Sequence, residues 1–145
     1  MLFLKIFSVG NRIIDSEHRK LHAQINGIAG LIAAGNVGAL PDAFGQLENN
    51  FHTYFGVEEN IARAVNFDFA QHRLAHQRLL NEIYSIKDEL IARNGQWSKA
   101  EEKNYIDSLW YSFIQHVKDD GKSLKAVMDT YLYDFNPDLT GGVPN

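Results

Sequence analysis

The sequence predicts an all-α fold in which four helices pack as an up-down-up-down bundle. Apolar residues recur three and four residues apart over long stretches, which is typical of helices that bury one face. No stretch shows the alternation of apolar and polar residues expected of a half-buried strand. Polar or glycine-containing breaks at residues 35–41, 66–68 and 94–98 separate the segments. Because such short connections join antiparallel neighbours, the helices are expected to run alternately up and down.

The four helices are expected at about residues 15–35, 41–65, 68–93 and 98–130 of a single domain covering residues 1–145. Asp15 or Ser16 is the expected N-cap of the first helix. Ser98, with Glu101 three residues later, forms a capping box that predicts the start of the fourth helix.

Composition excludes several classes of function. The chain has 145 residues, a net charge of −4 and no cysteine, so disulfides, thiolate zinc sites, iron–sulfur clusters and a catalytic thiol are ruled out. Lysines and arginines are scattered, which argues against nucleic-acid binding. The longest uncharged stretch, residues 23–40, contains three amides and four glycines, so no membrane span is predicted. The N-terminus lacks a small-residue cleavage site, which favours a mature cytoplasmic protein.

Polar residues interrupt each apolar stripe. They occupy positions where the helical period calls for an apolar side chain, and they are His18, Tyr54, Glu58, His72, His76, His116 and Asp120. The fourth stripe is expected to comprise Ile106, Leu109, Phe113, His116, Asp120 and Val127. A carboxylate in a dry core costs several kcal/mol unless it has partners, so these groups are expected to gain something by converging.

A metal site explains the convergence. Four pairs of residues, one per helix, are spaced four apart and therefore lie about 40° apart on one helix face: His18 and His22, Tyr54 and Glu58, His72 and His76, His116 and Asp120. A single core histidine is more often just hydrogen-bonded. Four pairs together supply more ligands than one tetrahedral zinc ion needs, and a mixture of imidazole and carboxylate ligands suits iron or manganese. The sequence therefore predicts a dinuclear site, although zinc occupancy stays open.

Two common metal-binding patterns are absent from the sequence. No glutamate is followed by histidine three residues later, which excludes the Glu-x-x-His type of di-iron bundle. No His-Glu-x-x-His segment occurs either, which excludes a zinc-protease helix.

The segment from Phe7 to Leu21, followed by Ile25 and Asn26, resembles the opening of hemerythrins, especially bacteriohemerythrins. Residues 54–59 (Tyr-Phe-Gly-Val-Glu-Glu) resemble the family's His-Phe-x-x-Glu-Glu motif, residues 72–76 its His-x-x-x-His motif, and residues 113–117 its last histidine motif. The resemblance extends from about Phe7 to Val127, with these motifs in the family's order.

The resemblance implies two non-heme iron ions joined by an oxo or hydroxo bridge, with dioxygen bound at one of them. It assigns His72, His76 and His116 to one iron, His18 to the other, and Glu58 to a bridging position.

Three positions depart from the family pattern. Tyr54 stands where the family has a histidine, and it either binds a ferric ion as phenolate or packs and hydrogen-bonds beside the site. His22 lies one turn after His18 and either supplies the missing imidazole or supports a ligand. Gly121 stands where the family has its aspartate. Asp120 is the expected bridging residue because it shares a helix face with His116, and Asp119 is the alternative.

Three functions follow from these features. The first is dioxygen binding for sensing, storage or delivery. The second is a di-iron redox enzyme that acts on oxygen, peroxide or nitric oxide, since a tyrosinate stabilises ferric iron. The third is a non-catalytic bundle that the metal stabilises by binding only the native state. No protein partner is indicated.

Overall fold

The computed structural model describes residues 8–140, apart from the side chains at positions 120, 121, 139 and 140. Its regular secondary structure is entirely helical, with no strand in this part of the chain. The helices are α1 (Arg12–Ala34), α2 (Leu40–Ala64), α3 (Ala70–Arg93), α4 (Lys99–Met128) and α5 (Pro137–Thr140), with a short 3-10 helix (Val37–Ala39) before α2. The four long helices pack together, α1 mainly against α2 and α3 mainly against α4.

The first helix begins at Arg12, earlier than predicted. Asn11 is its N-cap, because the side-chain oxygen accepts hydrogen bonds from the backbone N–H groups of Ile13 and Ile14 at 3.0 and 3.1 Å. Asp15 and Ser16 both lie inside the helix, so the prediction that one of them is the cap was wrong. Asn11 also binds the C-terminal region, a tertiary contact that local sequence does not reveal.

The other long helices begin and end within two residues of the predicted positions. The capping box is confirmed: Ser98 Oγ accepts from the backbone N–H of Glu101 at 3.1 Å, and Glu101 Oε1 accepts from that of Ser98 at 2.9 Å. α3 ends at Arg93, and its C-cap Asn94 has a left-handed φ of 49°. No helix within residues 8–140 has the length and apolarity needed to cross a membrane.

The core consists of the stripes that the four helices turn inward. The inward positions predicted for the first three helices are buried, except that Ile86 is half-buried. They are His18, Leu21, Ile25, Ile28 and Ile32 for α1, Leu47, Phe51, Tyr54, Glu58, Ile61 and Val65 for α2, and Phe69, His72, His76, Leu79, Ile83, Ile86 and Leu90 for α3. On α4, Ile106 and Val127 are only half-buried, and the buried residues near the two ends of this helix are instead Tyr105, Leu124 and Met128. An α-helix drifts by about 20° per seven residues from a strict heptad, so over so long a helix the buried face moves away from the predicted one.

A hydrogen-bonded group of six residues joins the start of α1 to the segment after α4. We call it the terminal clasp, and its members are Ser8, Val9, Asn11, Asp15, Tyr133 and Phe135. Asn11 Nδ2 donates to the backbone oxygen of Phe135 at 2.9 Å, and the hydroxyl of Tyr133 donates to Asp15 Oδ2 at 3.0 Å. Asn11 and Asp15 are both buried. The clasp therefore holds the N-terminal end of α1 against the far end of the described chain.

Candidate metal centre

Three residues from three helices bring metal-ligand atoms together in the core. Glu58 of α2, His76 of α3 and His116 of α4 each offer one such atom, and all three atoms lie within 4.8 Å of one another. Their exposed fractions are 0%, 5% and 6%. We refer to these residues as the cluster. It satisfies the basic requirement of a metal site, which is a set of convergent donors on elements held rigid by packing.

Glu58 lies between His76 of the cluster and Tyr54 on its own helix. Its Oε1 lies 2.9 Å from Nε2 of His76, and its Oε2 accepts a hydrogen bond from the Tyr54 hydroxyl at 2.7 Å. Tyr54 precedes Glu58 by one turn of α2, so the two side chains lie on the same helix face. The two carboxylate oxygens therefore have different neighbours.

Tyr54 links α1 to the cluster. Its hydroxyl oxygen lies 3.0 Å from Nε2 of His18 and 3.4 Å from Nε2 of His116, and the side chain is fully buried. The phenol thus occupies the space between His18 and the cluster. This position suits both interpretations of the residue, as a ligand and as a hydrogen-bonding partner of the ligands.

His72 lies at the edge of the site. Its Nε2 is 3.3 Å from Oγ of Ser123 on α4, and its ring packs between Phe67 and Phe69, with centroids 5.1 and 5.2 Å away. The ring centroids of His72 and His76 are 6.2 Å apart. Ser123 was not predicted, because a serine on the helix surface gives no sequence signal for contact with a histidine on another helix.

His22 and the two aspartates have different positions. The half-buried His22 ring packs against Trp110, with centroids 4.9 Å apart, and it is not a member of the cluster. The side chain of Asp120 lies outside the described residues. Asp119 is exposed on α4. The choice between Asp120 and Asp119 as a bridging residue therefore stays a prediction.

Aromatic rings enclose the cluster. Phe55 stacks on His76 with ring centroids 3.8 Å apart and an interplanar angle of 11°. Phe51 and Phe113, both fully buried, pack edge to face against each other, and Phe51 also stacks on Phe55 with ring centroids 5.7 Å apart. The stacked contact restricts the orientation of the His76 imidazole.

An ion pair on the bundle surface joins α2 to α3 close to the cluster. Glu59 Oε1 accepts from Arg73 Nε at 2.9 Å and also contacts its terminal nitrogen. Glu59 follows Glu58 and Arg73 follows His72 in sequence. The pair therefore ties together the two helices at the level of the candidate ligands.

The donor set fits a transition-metal ion. One carboxylate, several imidazoles and a phenol, with no thiol, match the preferences of iron or manganese. Comparison with known proteins found no matching family model, curated protein or solved structure. The fit therefore depends on the chemistry and convergence of the donors.

Proposed function

We propose that the chain is a non-heme di-iron protein that binds dioxygen for sensing, storage or delivery, as its resemblance to hemerythrins implies. The observation that carries this proposal is the position of Glu58. One carboxylate oxygen faces His76 at 2.9 Å, and the other faces Tyr54, whose own oxygen is 3.0 Å from His18. Carboxylates placed between two sets of donors are the usual bridges of di-iron sites in helical bundles.

The proposal includes an up-down-up-down arrangement of the four long helices. Short connections between them favour antiparallel neighbours. Contacts along α3 and α4 support this order: His72, near the start of α3, lies beside Ser123 near the end of α4. At the opposite end, the Tyr105 hydroxyl donates to Glu89 at 2.9 Å. This crossed pairing is the one expected of antiparallel helices.

In this proposal the metal ligands come from all four helices. One ion is held by His72, His76 and His116, the other by His18 with Tyr54 or His22, and the bridging residues are Glu58 and Asp120 or Asp119. When bound, the ions supply the electrons that bind dioxygen, or a related diatomic or peroxide ligand. The protein contributes apolar surroundings from Phe51, Phe55 and Phe113, and the Tyr54 hydroxyl donates a hydrogen bond to Glu58.

A second candidate function is a di-iron redox enzyme acting on oxygen, peroxide or nitric oxide. The observation that favours it is the fully buried Tyr54 hydroxyl, which lies within 3.4 Å of two histidines and within 2.7 Å of Glu58. A phenolate on the metal adds negative charge and favours the oxidised ion, so reversible dioxygen binding would be weakened.

The first test is the metal content and the visible spectrum of the purified protein before dithionite reduction, after reduction, and after return to air. We expect about two irons per chain, the stoichiometry of a dinuclear carboxylate site. Bands that return reversibly with oxygen support a carrier or sensor. Consumption of peroxide with turnover supports the enzyme. If the protein shows neither behaviour, the remaining candidate is a metal-stabilised bundle without catalysis.

Tyr54→Phe separates the first two candidates. Loss of a broad phenolate-to-iron band in this variant identifies a tyrosinate ligand and favours redox chemistry. Tyr84→Phe is the matched control, because Tyr84 also donates to a glutamate, Glu48 at 2.6 Å, but is not a member of the cluster or its contacts. Fewer than about one metal per chain after full reconstitution would refute the dinuclear site.

A further inference from the structure

A surface crevice of about 110 Å³ lies between α3 and α4. Residues of both helices line it, among them Ala75, Arg78, Glu82, Ser112, His116 and Asp119. An adjoining crevice of about 180 Å³ shares Ala75, Arg78 and Asp119 and reaches His72. Each has room for several water molecules.

The spacing of the lining residues explains the crevice. Ala75, Arg78 and Glu82 are separated by three and four residues on α3, so they form one face of that helix. Ser112, His116 and Asp119 do the same on α4. The side chains of Ala75 and Ser112, on opposite walls, are too small to fill the space between the two helices.

His116 belongs to both the crevice and the cluster. Its ring is 6% exposed, and its ligand atom lies within 4.8 Å of those of Glu58 and His76. This single side chain therefore connects the solvent-filled space to the buried donors. His72, at the edge of the site, lines the adjoining crevice and is 7% exposed.

The lining combines apolar groups, among them Ala75 and Leu79, with charged and polar side chains, and the charged groups indicate the kind of species that would bind there. Glu82 and Asp119 contribute carboxylates and Arg78 a single guanidinium, beside amide, hydroxyl and imidazole groups. Carboxylate, imidazole and water are the groups that a hydrated divalent metal ion exchanges most readily.

We propose that this crevice is the route by which a hydrated divalent transition-metal ion reaches the cluster and leaves it. The ion first exchanges water for the carboxylates of the crevice, and the His116 imidazole then receives it at the inner wall. The inference rests on the proposed function, because it requires that the cluster holds a metal ion.

The test uses Co²⁺, which is coloured and stable in air, with the full-length chain. Uptake by metal-free protein and removal by excess EDTA are followed by visible absorbance. We expect Ala75→Leu, which fills the crevice, to slow both rates on the order of tenfold, because the ion must then wait for local opening of the bundle. The amount of Co²⁺ bound at equilibrium is expected to be unchanged.

Ser108→Leu is the matched control for the filled crevice. Ser108 lies on α4 one turn before Ser112, and it borders neighbouring surface depressions but not this crevice. The variant adds the same kind of bulk to the same groove between helices. We expect wild-type rates from it.

Two charge variants test the route without changing the packing, since both residues are exposed. Glu82→Gln is expected to slow uptake and Arg78→Gln to accelerate it. Both uptake rates are expected to change several-fold at low salt. The changes are expected to shrink above an ionic strength of about 0.1 M, where the Debye length falls below ~10 Å. Opposite shifts at neighbouring positions are not produced by a general loss of stability.

The outcomes distinguish the two proposals. If the wild-type chain takes up no Co²⁺, the proposed metal centre fails and this inference fails with it. If it takes up Co²⁺ but Ala75→Leu and Ser112→Leu match the wild-type rates, the route is refuted while the metal centre stands. If Ala75→Leu does not fold, Ser112→Leu on the opposite wall and the two charge variants decide the question.

Discussion

Burying Glu58 costs the fold several kcal/mol unless partners satisfy both of its oxygens. His76 and Tyr54 supply those contacts at 2.9 and 2.7 Å, and the side chain has no exposed surface. An apolar residue would fill the same position on α2 without this cost. Residues that break the local packing rule in this way are expected at functional sites.

Glu58→Gln tests the residue directly. The amide keeps the shape of the side chain but loses the negative charge that a metal ion requires, so we expect metal affinity to fall by more than about 100-fold, since loss of an outer partner alone costs about 10- to 100-fold. The measurement is a metal titration with calorimetric readout, with the rise in Tm on metal addition as a second observable.

Glu59→Gln is the control for this variant. It makes the same chemical change at the next residue, which pairs with Arg73 on the surface instead of joining the cluster. We expect it to retain metal binding. Equal losses in the two variants would contradict the central position of Glu58.

Part of the site was predictable at the scale of single residues, and part was not. The four-residue spacings predicted a histidine and glutamate group in the core, and Glu58, His76 and His116 form one. The contact between His72 and Ser123 was not predictable, because it depends on how far α4 is rotated against α3. Sequence spacing defines the face of a helix but not its rotation relative to a neighbour.

At the scale of the helices, one carboxylate forms bonds on both sides of the connection between α3 and α4. Glu101 accepts from the backbone N–H of Ser98 in the capping box and also pairs with Arg93 at the end of α3. The hydrogen bond from Arg93, followed by that from Ser98, lowers the pKa of Glu101 from 4.5 to about 2. This residue therefore joins the end of one helix to the start of the next.

The lowered pKa predicts how stability depends on pH. Folding favours the ionised form of Glu101, so its contribution is complete above pH 4.5 and is lost as the pH falls towards 2. We expect Glu101→Gln to lower Tm at pH 6 and the difference from wild type to shrink between pH 4.5 and 2. Thermal unfolding followed by circular dichroism at several pH values measures this.

Glu102→Gln is the companion variant, because it removes a carboxylate from the same turn of α4 without touching Arg93. A Tm difference between Glu101→Gln and wild type that stays constant from pH 6 to pH 2 would refute the assignment.

The helices themselves show where sequence patterns lose accuracy. The capping box gave the start of α4 within one residue, because both of its hydrogen bonds are local. The start of α1 was missed because Asn11 owes its position partly to Phe135, far away in the sequence. The buried face of α4 was missed at Tyr105 and Met128 because small angular errors accumulate along a long helix.

At the scale of the whole molecule, the terminal clasp joins the two ends of the described chain. Asn11 has two roles in it, since its side-chain oxygen caps α1 and its side-chain nitrogen donates to Phe135. The residue is fully buried. The stability of the bundle is therefore expected to depend on both halves of one amide group.

Asn11→Asp separates these roles. The carboxylate still caps α1 but cannot donate to the Phe135 oxygen, so we expect a loss of more than about 1–3 kcal/mol of unfolding free energy at pH 7, because an unsatisfied buried group costs that much and a charged one costs more. Asn11→Ala removes both interactions without burying a charge. Urea denaturation at constant pH measures the differences.

Asn26→Asp places the same charge at an exposed position of α1 and serves as the control. If Asn11→Asp is as stable as this control, the bond to Phe135 does not contribute to stability.

The clasp also has a consequence for the order of folding. Asn11 and Phe135 are 124 residues apart in sequence, whereas the pairs α1–α2 and α3–α4 are neighbours along the chain. Contacts between sequence neighbours close small loops at low entropic cost and form early. The clasp closes the largest hydrogen-bonded loop within the described residues, so we expect it to form late, after the two helix pairs have met.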